Sequence, residues 1–376
     1  MKAGWQSKPF EECIEKVTYT SKIQRKDFLD NGAYPIISQE DAFINGYWDN
    51  EDDLFKVTTP IVVFGDHTKV LKYVDFDFVL GADGVKVLPP RDFLLPKFFY
   101  YQLQTANLDS LGYARHYRLL KELEIAHPAR PEQQRIVDIL DAAFDGIATA
   151  KANAEQNLQN ARALFESHLQ SVFAEALQTC ELVTLADLAT DITDGDHMPP
   201  PKAPSGVPFI TIGNVRKDTR TIDFTDTFKV SREYFERLKP NKKPQKGDVL
   251  YTVTGSFGIP VLLGEQREFC FQRHIGLVRP KPEVSSEWLY YLLMSPQIIK
   301  QANDGATGTA QKTVSLKLLR GFQVPCVPLA FQRATAAKLN AVSEETQRLE
   351  FLYQRKLAAL DELKKSLLHQ AFSGVL

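Results

Sequence analysis

The stretch PEQQRIVDILDAAFDGIATAKANAEQNLQNARALFESHLQSVFAEAL, residues 131–177, decides how the chain is built. It holds one glycine, Gly146, and no proline after Pro131. Apolar residues recur at Ile136, Leu140, Ala143, Ile147, Ala150, Ala154, Leu158, Ala161 and Leu164, then at Leu169, Val172 and Ala176. Alternating steps of three and four make a heptad seam along one face of a helix. Pro131 suits a first helical position, where its missing N–H costs nothing. A second stretch toward the C-terminus repeats the spacing at Leu339, Val342, Thr346, Leu349, Tyr353, Leu360, Leu363 and Leu367, with Lys356 a break partly covered by Leu357 and Gly374 a plausible stop. At about 1.5 Å per residue, about 43 residues make a rod about 65 Å long. Such a rod cannot bury its seam alone. The simplest partner is its own copy, paired antiparallel, because each rod leaves a globular segment at its start. Leu140, Ile147, Leu158 and Leu164 would then face Leu349, Tyr353, Leu360 and Leu367. The competing reading is a helical hairpin inside one compact domain.

Working outward, the chain repeats itself. PKFFYYQL (96–103) lies over SEWLYYLL (286–293), and FVLGADGVKVLPP (78–90) over FCFQRHIGLVRPK (269–281). LEIAHPARPEQQR (123–135) lies over FQVPCVPLAFQR (322–333), which sets Gln134-Arg135 on Gln332-Arg333. FESHLQSVF (165–173) lies over KKSLLHQAF (364–372). Four blocks in one order, at a slowly drifting offset, argue for an internal duplication. The expected domains are 1–128, 129–180, 181–327 and 328–376, globular and rod-like in alternation. IVVF (61–64), VKVL (85–88), PFITI (208–212), DVLYTV (248–253) and IGLVRP (275–280) read as strands, with one short helix near 96–107 and its copy near 286–301. The fold class is therefore α+β: two similar strand-rich globular domains and two long antiparallel coiled-coil helices.

The whole chain of 376 residues carries a net charge of −2, which rules out a protein basic all over. The charge is unevenly spread. Residues 202–281 hold 15 Lys+Arg against 8 Asp+Glu, while residues 1–128 hold 15 against 19. Arg216, Lys217, Arg220, Lys242, Lys243, Lys246, Arg273 and Arg279 could neutralise phosphates, although a solvated face explains charge alone equally well. In the first domain Lys69, Lys72, Arg115, Arg118 and Lys121 would have to be gathered on one side. Cys13, Cys180, Cys270 and Cys326 are widely spaced, so neither a zinc knuckle nor a disulfide framework is suggested, and a reducing compartment is expected. No apolar run of about 18 residues occurs, so no membrane span is expected.

Catalytic signatures are missing where they would be sought. There is no phosphate-binding G-x-x-x-x-G-K-[ST], no G-x-G-x-x-G after a strand, and no G-x-S-x-G or H-E-x-x-H. The Asp/Asn-Pro-Pro-aromatic tetrapeptide of adenine methyltransferases is absent too. Asp194, Asp196 and His197 imitate a metal site but read more simply as a solvated turn. Two pairs of polar loops sit in matching positions. Gly65-Asp66-His67-Thr68-Lys69 lies over Gly255-Ser256-Phe257-Gly258, and Gly112-Tyr113-Ala114-Arg115-His116-Tyr117 over the loop 305–312. Glycine-rich turns between strands let a ligand approach closely, and Arg, Lys, Gln and Asn read purine edges in pairs of hydrogen bonds. The candidate DNA-binding residues are Asp66, His67, Thr68, Lys69, Arg115, His116, Tyr117, Arg216, Lys217, Thr254, Ser256, Arg273, His274, Gln311 and Lys312. No catalytic and no metal-ligating residue is assigned.

Over nearly its whole length the sequence resembles the specificity subunit of type I DNA restriction–modification systems. The resemblance rests on the alternating order, on Pro131-Glu-Gln-Gln-Arg135 and Pro328-Leu-Ala-Phe-Gln-Arg333 at the junctions, on KGDVLYTVTGSFG (246–258), on GATGTAQKTVSLKLL (305–319), and on the S-L-L-x-x-A-F-S-G of 366–374. GDHTKV in the first domain departs from the GSxG form. The resemblance implies two target-recognition domains, each reading half of a bipartite, asymmetric sequence in double-stranded DNA. It implies a coiled coil that sets the spacer and docks two methyltransferase (modification) subunits, with restriction subunits joining them. S-adenosylmethionine, ATP and Mg are expected on those partners and no cofactor on this chain, which would be cytoplasmic and non-catalytic. The competing functions are a coiled-coil adaptor whose globular domains bind protein, and a complete methyltransferase or nuclease.

Overall fold

The computed structural model describes residues 4–108, 114–198, 200–308 and 311–373. Gly374, the Gly112-Tyr113 pair and the Thr309-Ala310 pair named above lie outside them. The chain forms two compact units. Unit 1 is Met1–Glu155 with Gln354–Leu376, and unit 2 is Gln156–Tyr353. Both expected rods form, as helices Arg130–Thr179 and Leu329–Ser373. The boundary between units falls partway along each.

In unit 1 the start of the first long helix pairs with the end of the second. Lys364 lies over the Phe144 ring at 5.0 Å, and one turn or two onward Lys151 donates to Asp361 at 2.7 Å. One number rises as the other falls, so the pair is antiparallel. Unit 2 pairs the remaining halves in the same sense, with Arg162 bonded to Glu350 at 3.2 Å and Leu169 and Phe173 sharing a core with Ala336 and Leu339. Leu140 and Ile147 are buried; Leu158, Leu349, Tyr353, Leu360 and Leu367 are half-buried. Leu164 is the exception, at 62% exposure, and Leu363 is exposed as well. After Ala161 the seam steps by four, not three, because Phe165 turns inward and sets its ring 6.2 Å from that of Tyr291. Leu164 is left on the outer face. Leu164→Gln should therefore shift unfolding free energy by less than about 0.5 kcal/mol, as other solvent-facing substitutions do; a larger loss in thermal or denaturant melts would restore Leu164 to the seam.

The globular parts share a set of strand pairings. In unit 1, strand Gln6–Pro9 pairs antiparallel with Glu124–His127; in unit 2, Leu182–Thr184 pairs with Gln323–Pro325. Strand Ile61–Gly65 stands between Leu71–Val74 and Val85–Leu88, and Val249–Thr252 stands between Pro260–Leu262 and Ile275–Pro280. A parallel pair recurs as Tyr34–Ile37 beside Phe78–Gly81 and as Val207–Ile210 beside Cys270–Phe271. The expected helix over 286–301 is instead two, Ser286–Met294 and Pro296–Gly305. Ser295 takes extended backbone ahead of Pro296, which disfavours the helical conformation before it, and its hydroxyl caps the new helix by accepting from the Ile298 amide.

The junction motif marks a buried clamp. Gln133 is fully buried. Its carbonyl accepts from the Leu95 amide at 2.7 Å, where helix Pro96–Gln104 begins, and its amide donates to Phe93 and Pro128 carbonyls. Gln332 repeats this in unit 2, accepting from Ser285 at 2.8 Å and donating to Val327 at 2.9 Å. The structural equivalent of Gln332 is therefore Gln133 and not Gln134, which is exposed and bonds Asp138 within its own helix. Counting from the arginine sets the alignment one residue off. A second pair of matched bonds follows, from Tyr101 to Asp141 and from Tyr291 to Asn340. At the far ends, Phe372 packs on Phe98 at 5.1 Å and Phe173 on Trp288 at 6.1 Å.

Candidate nucleic-acid interface

In each unit the same chain segments meet at one edge of the sheet. In unit 2 they are 194–197, 253–257, 272–274 and 311–315. Strand Val249–Thr252 hands the chain to the turn at Thr254, and the Val253 amide donates to His274 at 2.9 Å. Val314 donates to the Val253 carbonyl at 2.8 Å, and Gly255 to that of Lys312 at 3.1 Å. Thr254 pairs with Thr313, and Asp196 with Gln272. These bonds shape a cleft of about 360 Å³ lined by Asp194, His197, Thr254, Arg273, His274, Gln311 and Thr313, among others. Backbone bonds close the 58-residue span from Thr254 to Lys312, so Thr254, Arg273, His274, Gln311 and Lys312 are brought together. Ser256 sits exposed on the same turn, its carbonyl accepting from the Thr252 hydroxyl at 2.8 Å.

Arg273 is exposed while its amide donates to the Asp196 carbonyl at 3.0 Å, so an exposed cation is mounted on a fixed backbone. Its Nε lies 3.4 Å from His274 Nε2. Burial, and then the Arg273 charge, hold the His274 imidazole below its ordinary pKa. The Asp194-Asp196-His197 turn is spread apart. His197 faces Asp194 at 2.9 Å, whereas Asp196 accepts from the Tyr234 hydroxyl at 2.5 Å.

Other basic residues of 202–281 are engaged within the fold or stand apart from the cleft. Arg279 is held by Asp248 through Nε at 2.9 Å and Nη2 at 2.8 Å, a buried ion pair that removes it from any phosphate surface. Arg216 and Lys217 belong to the separate hairpin Val215–Arg216 and Thr221–Ile222, outside the cleft lining. Arg216 is ion-paired to Asp223, whose carboxyl is brought down to about 2 by bonds from Thr225 and then Arg216.

Unit 1 forms its edge from 66–69, 82–84 and 115–117. Asp66 is only 2% exposed. Its carboxylate accepts from the Tyr117 amide at 2.7 Å, and its carbonyl from the His116 amide at 2.7 Å. His116 is buried too, with Nδ1 3.0 Å from the Asp66 carbonyl. These two fasten the loops to each other and cannot reach a ligand, so their place among the contact residues is corrected to a framing one. Tyr117 is half-buried against Phe10. Thr68 and Arg115 are exposed and His67 is half-buried. Lys69 adopts a left-handed backbone, φ 62°, that closes the turn, and its ammonium donates to the Leu108 carbonyl at 3.3 Å. Lys72 is buried under the carbonyls of Ala42 and Phe43 and the Asn45 side chain, and burial draws it down to about 8, so it is no surface cation. Sequence reasoning missed Gln39, which accepts from the His67 amide and the Thr68 hydroxyl and so orders the turn. Only its distance in sequence, some 28 residues, concealed it.

A family model described as the type I restriction modification DNA specificity domain matches residues 2–160 and 179–354. The specificity subunit of the Escherichia coli type I restriction enzyme EcoR124I/EcoR124II is 30% identical over 151 residues, covering 36% of this chain and 37% of that protein. That of the E. coli enzyme EcoBI is 22% identical over 369 residues, covering 88% of this chain and 75% of its own. Among solved structures, a chain reported under complex assembly and conformational transition of the type I R-M system aligns with TM-score 0.73 at 18% identity, over 99% of this chain and 98% of that one. The HsdS subunit from Thermoanaerobacter tengcongensis aligns with TM-score 0.60, also at 18% identity, over 100% and 98%. These likenesses show the shared fold. With the family model covering most of its residues in two blocks, the chain belongs to the type I restriction modification DNA specificity family.

Proposed function

We infer that this chain is the non-catalytic DNA-reading subunit of a type I restriction–modification complex, with domains 1–128 and 181–327 each reading one half of a bipartite, asymmetric duplex target. The segments 129–180 and 328–376 set the spacer and dock two modification subunits, which restriction subunits join. S-adenosylmethionine, ATP and Mg belong to those partners. The place of action is the cytoplasm, where such a complex meets DNA. The observation that carries the reading is the duplicated topology: one scaffold, formed twice, presents equivalent loops with different side chains. Thr68 and Arg115 stand in one unit where Ser256, Arg273 and Gln311 stand in the other. A scaffold kept constant while its edge varies suits two readers of different half-sites.

The test is electrophoretic mobility of the purified chain with random-sequence duplex DNA across a salt series, with and without a modification subunit. Weak, salt-sensitive retention by the chain alone is expected, tightening when the partner is added. Absence of retention at low salt in both arms favours a protein-binding adaptor. Methyl transfer by the chain alone would overturn its non-catalytic assignment.

A further inference from the structure

Unit 1 presents a problem for DNA binding, because residues 1–128 carry more acids than bases. The fold answers it along strand Val85–Leu88. In unit 2 the equivalent strand, Ile275–Pro280, is covered by strand Ala189–Asp194 in an antiparallel ladder with a register shift between Ala189 and Asp191. In unit 1 the chain at 14–23 crosses that edge largely by side chains. The Lys22 ammonium donates to the Val85 carbonyl at 3.1 Å, and the Tyr19 hydroxyl accepts from the Val87 amide at 3.2 Å. Lys22 rests over the Tyr19 ring at 4.6 Å. Next along the strand, Lys86 rests over the Tyr117 ring at 5.3 Å. Tyr117 is held in place by Asp66, two residues after exposed Arg115. Two strands and one pinned loop thus gather three cations, two of which rest on tyrosine rings.

These cations differ from their neighbours. Lys121 is engaged by Glu11 at 2.6 Å, and Arg25 by Glu40. Lys22, Lys86 and Arg115 make no salt bridge among the described residues. They are near enough to feel each other: after burial, Lys86 is the largest influence lowering the Lys22 pKa, Arg115 adds to it, and Asp83 and Asp66 act the opposite way. Like charges kept together with no ion pair among the described residues favour a polyanion that neutralises them at once. The tyrosine faces hold the Lys22 and Lys86 ammonium groups by cation–π attraction.

We propose that Lys22, Lys86 and Arg115 are the phosphate-gripping row of unit 1, holding the backbone of duplex DNA while the neighbouring 67–69 turn faces the bases. The proposal rests on the DNA-reading function above. A backbone contact steers and positions but carries no sequence information, so its signature is a salt slope rather than a change in preferred sequence.

The experiment compares the full chain with its Lys22→Gln/Lys86→Gln/Arg115→Gln variant on random-sequence duplex DNA, plotting log affinity against log salt. Each lost phosphate contact lowers the slope by about 0.9, so the triple variant should lose about 2 to 3. Arg348→Gln, whose side chain pairs with Glu345 on the second long helix, serves as the control for loss of one positive charge and should change nothing. Since Lys22 also bonds the strand, Arg115→Gln alone is measured as well; it touches no core and should lose about 0.9. A folded triple variant and an Arg115→Gln variant that both keep the wild-type slope would overturn the proposal while leaving DNA reading intact. Failure of the wild-type chain to bind duplex DNA at any salt would remove the DNA-reading function and the proposal with it.

Discussion

Arg279→Ala is expected to destabilise unit 2 by about 3–5 kcal/mol, the usual cost of stranding one member of a buried ion pair. Asp248 is only 2% exposed and keeps its remaining acceptor site for the Gln245 amide at 2.8 Å. Arg279 meets it with two parallel bonds and reaches the Lys243 carbonyl with the same Nη2, at 2.9 Å. The planar guanidinium fork makes this geometry possible, so Arg279→Lys should fail to restore it. What the pair does not do is hold more than a well-packed apolar substitute would. The double variant Asp248→Leu/Arg279→Met should therefore recover most of the loss. Urea melts of the three variants decide the matter. If Arg279→Ala melts like wild type, stranding Asp248 costs unit 2 no stability.

The other large effect falls on recognition. Arg273→Ala should weaken binding to the cognate target by about 1–3 kcal/mol, the discrimination of one good bidentate contact. The loss should come from one half-site alone. Arg273 stands exposed at a cleft whose other polar members, Thr254, Gln311 and Thr313, lie within unit 2. The measurement is competition by duplexes altered in one half-site at a time. A loss spread over both halves would contradict two independent readers. A loss that appears on random DNA as well, with a lowered salt slope, would convert Arg273 from a base reader to a phosphate contact.

The sequence displays the long helices, the duplication and most of the strands because those features repeat within it. A seam of leucines and alanines every three or four residues has no other economical use, and two copies of one scaffold align with each other. It is less informative where a single step in the seam changes. Leu164 and Phe165 are both apolar, and only the neighbouring Tyr291, 126 residues on, selects the phenylalanine for the inside. The candidate site follows the same division. Loop positions such as Thr254, Arg273 and Gln311 are legible as polar turns between strands. Whether a charge in such a turn faces water is not, because Asp66 is consumed by the Tyr117 amide and Arg279 by Asp248, partners 51 and 31 residues distant. Formal charge counted along a chain misses such internal neutralisation. For that reason the more basic unit loses members from its surface, and the acidic unit still assembles a cationic row.

The shared cores at the helix ends have a consequence for how the protein is made. Leu368 and Ala371 belong to the core of unit 1, together with Phe10, Phe98 and Leu140, and Phe372 packs against it. The 198 residues of unit 2 come between them and the rest of that core. On a ribosome, unit 2 can close as soon as its own contiguous stretch has emerged, whereas the unit begun first must wait with apolar surface uncovered until residues 354–376 arrive. Of the two units, the one begun first is finished last, and it is the one for which a chaperone has the longer opportunity to act.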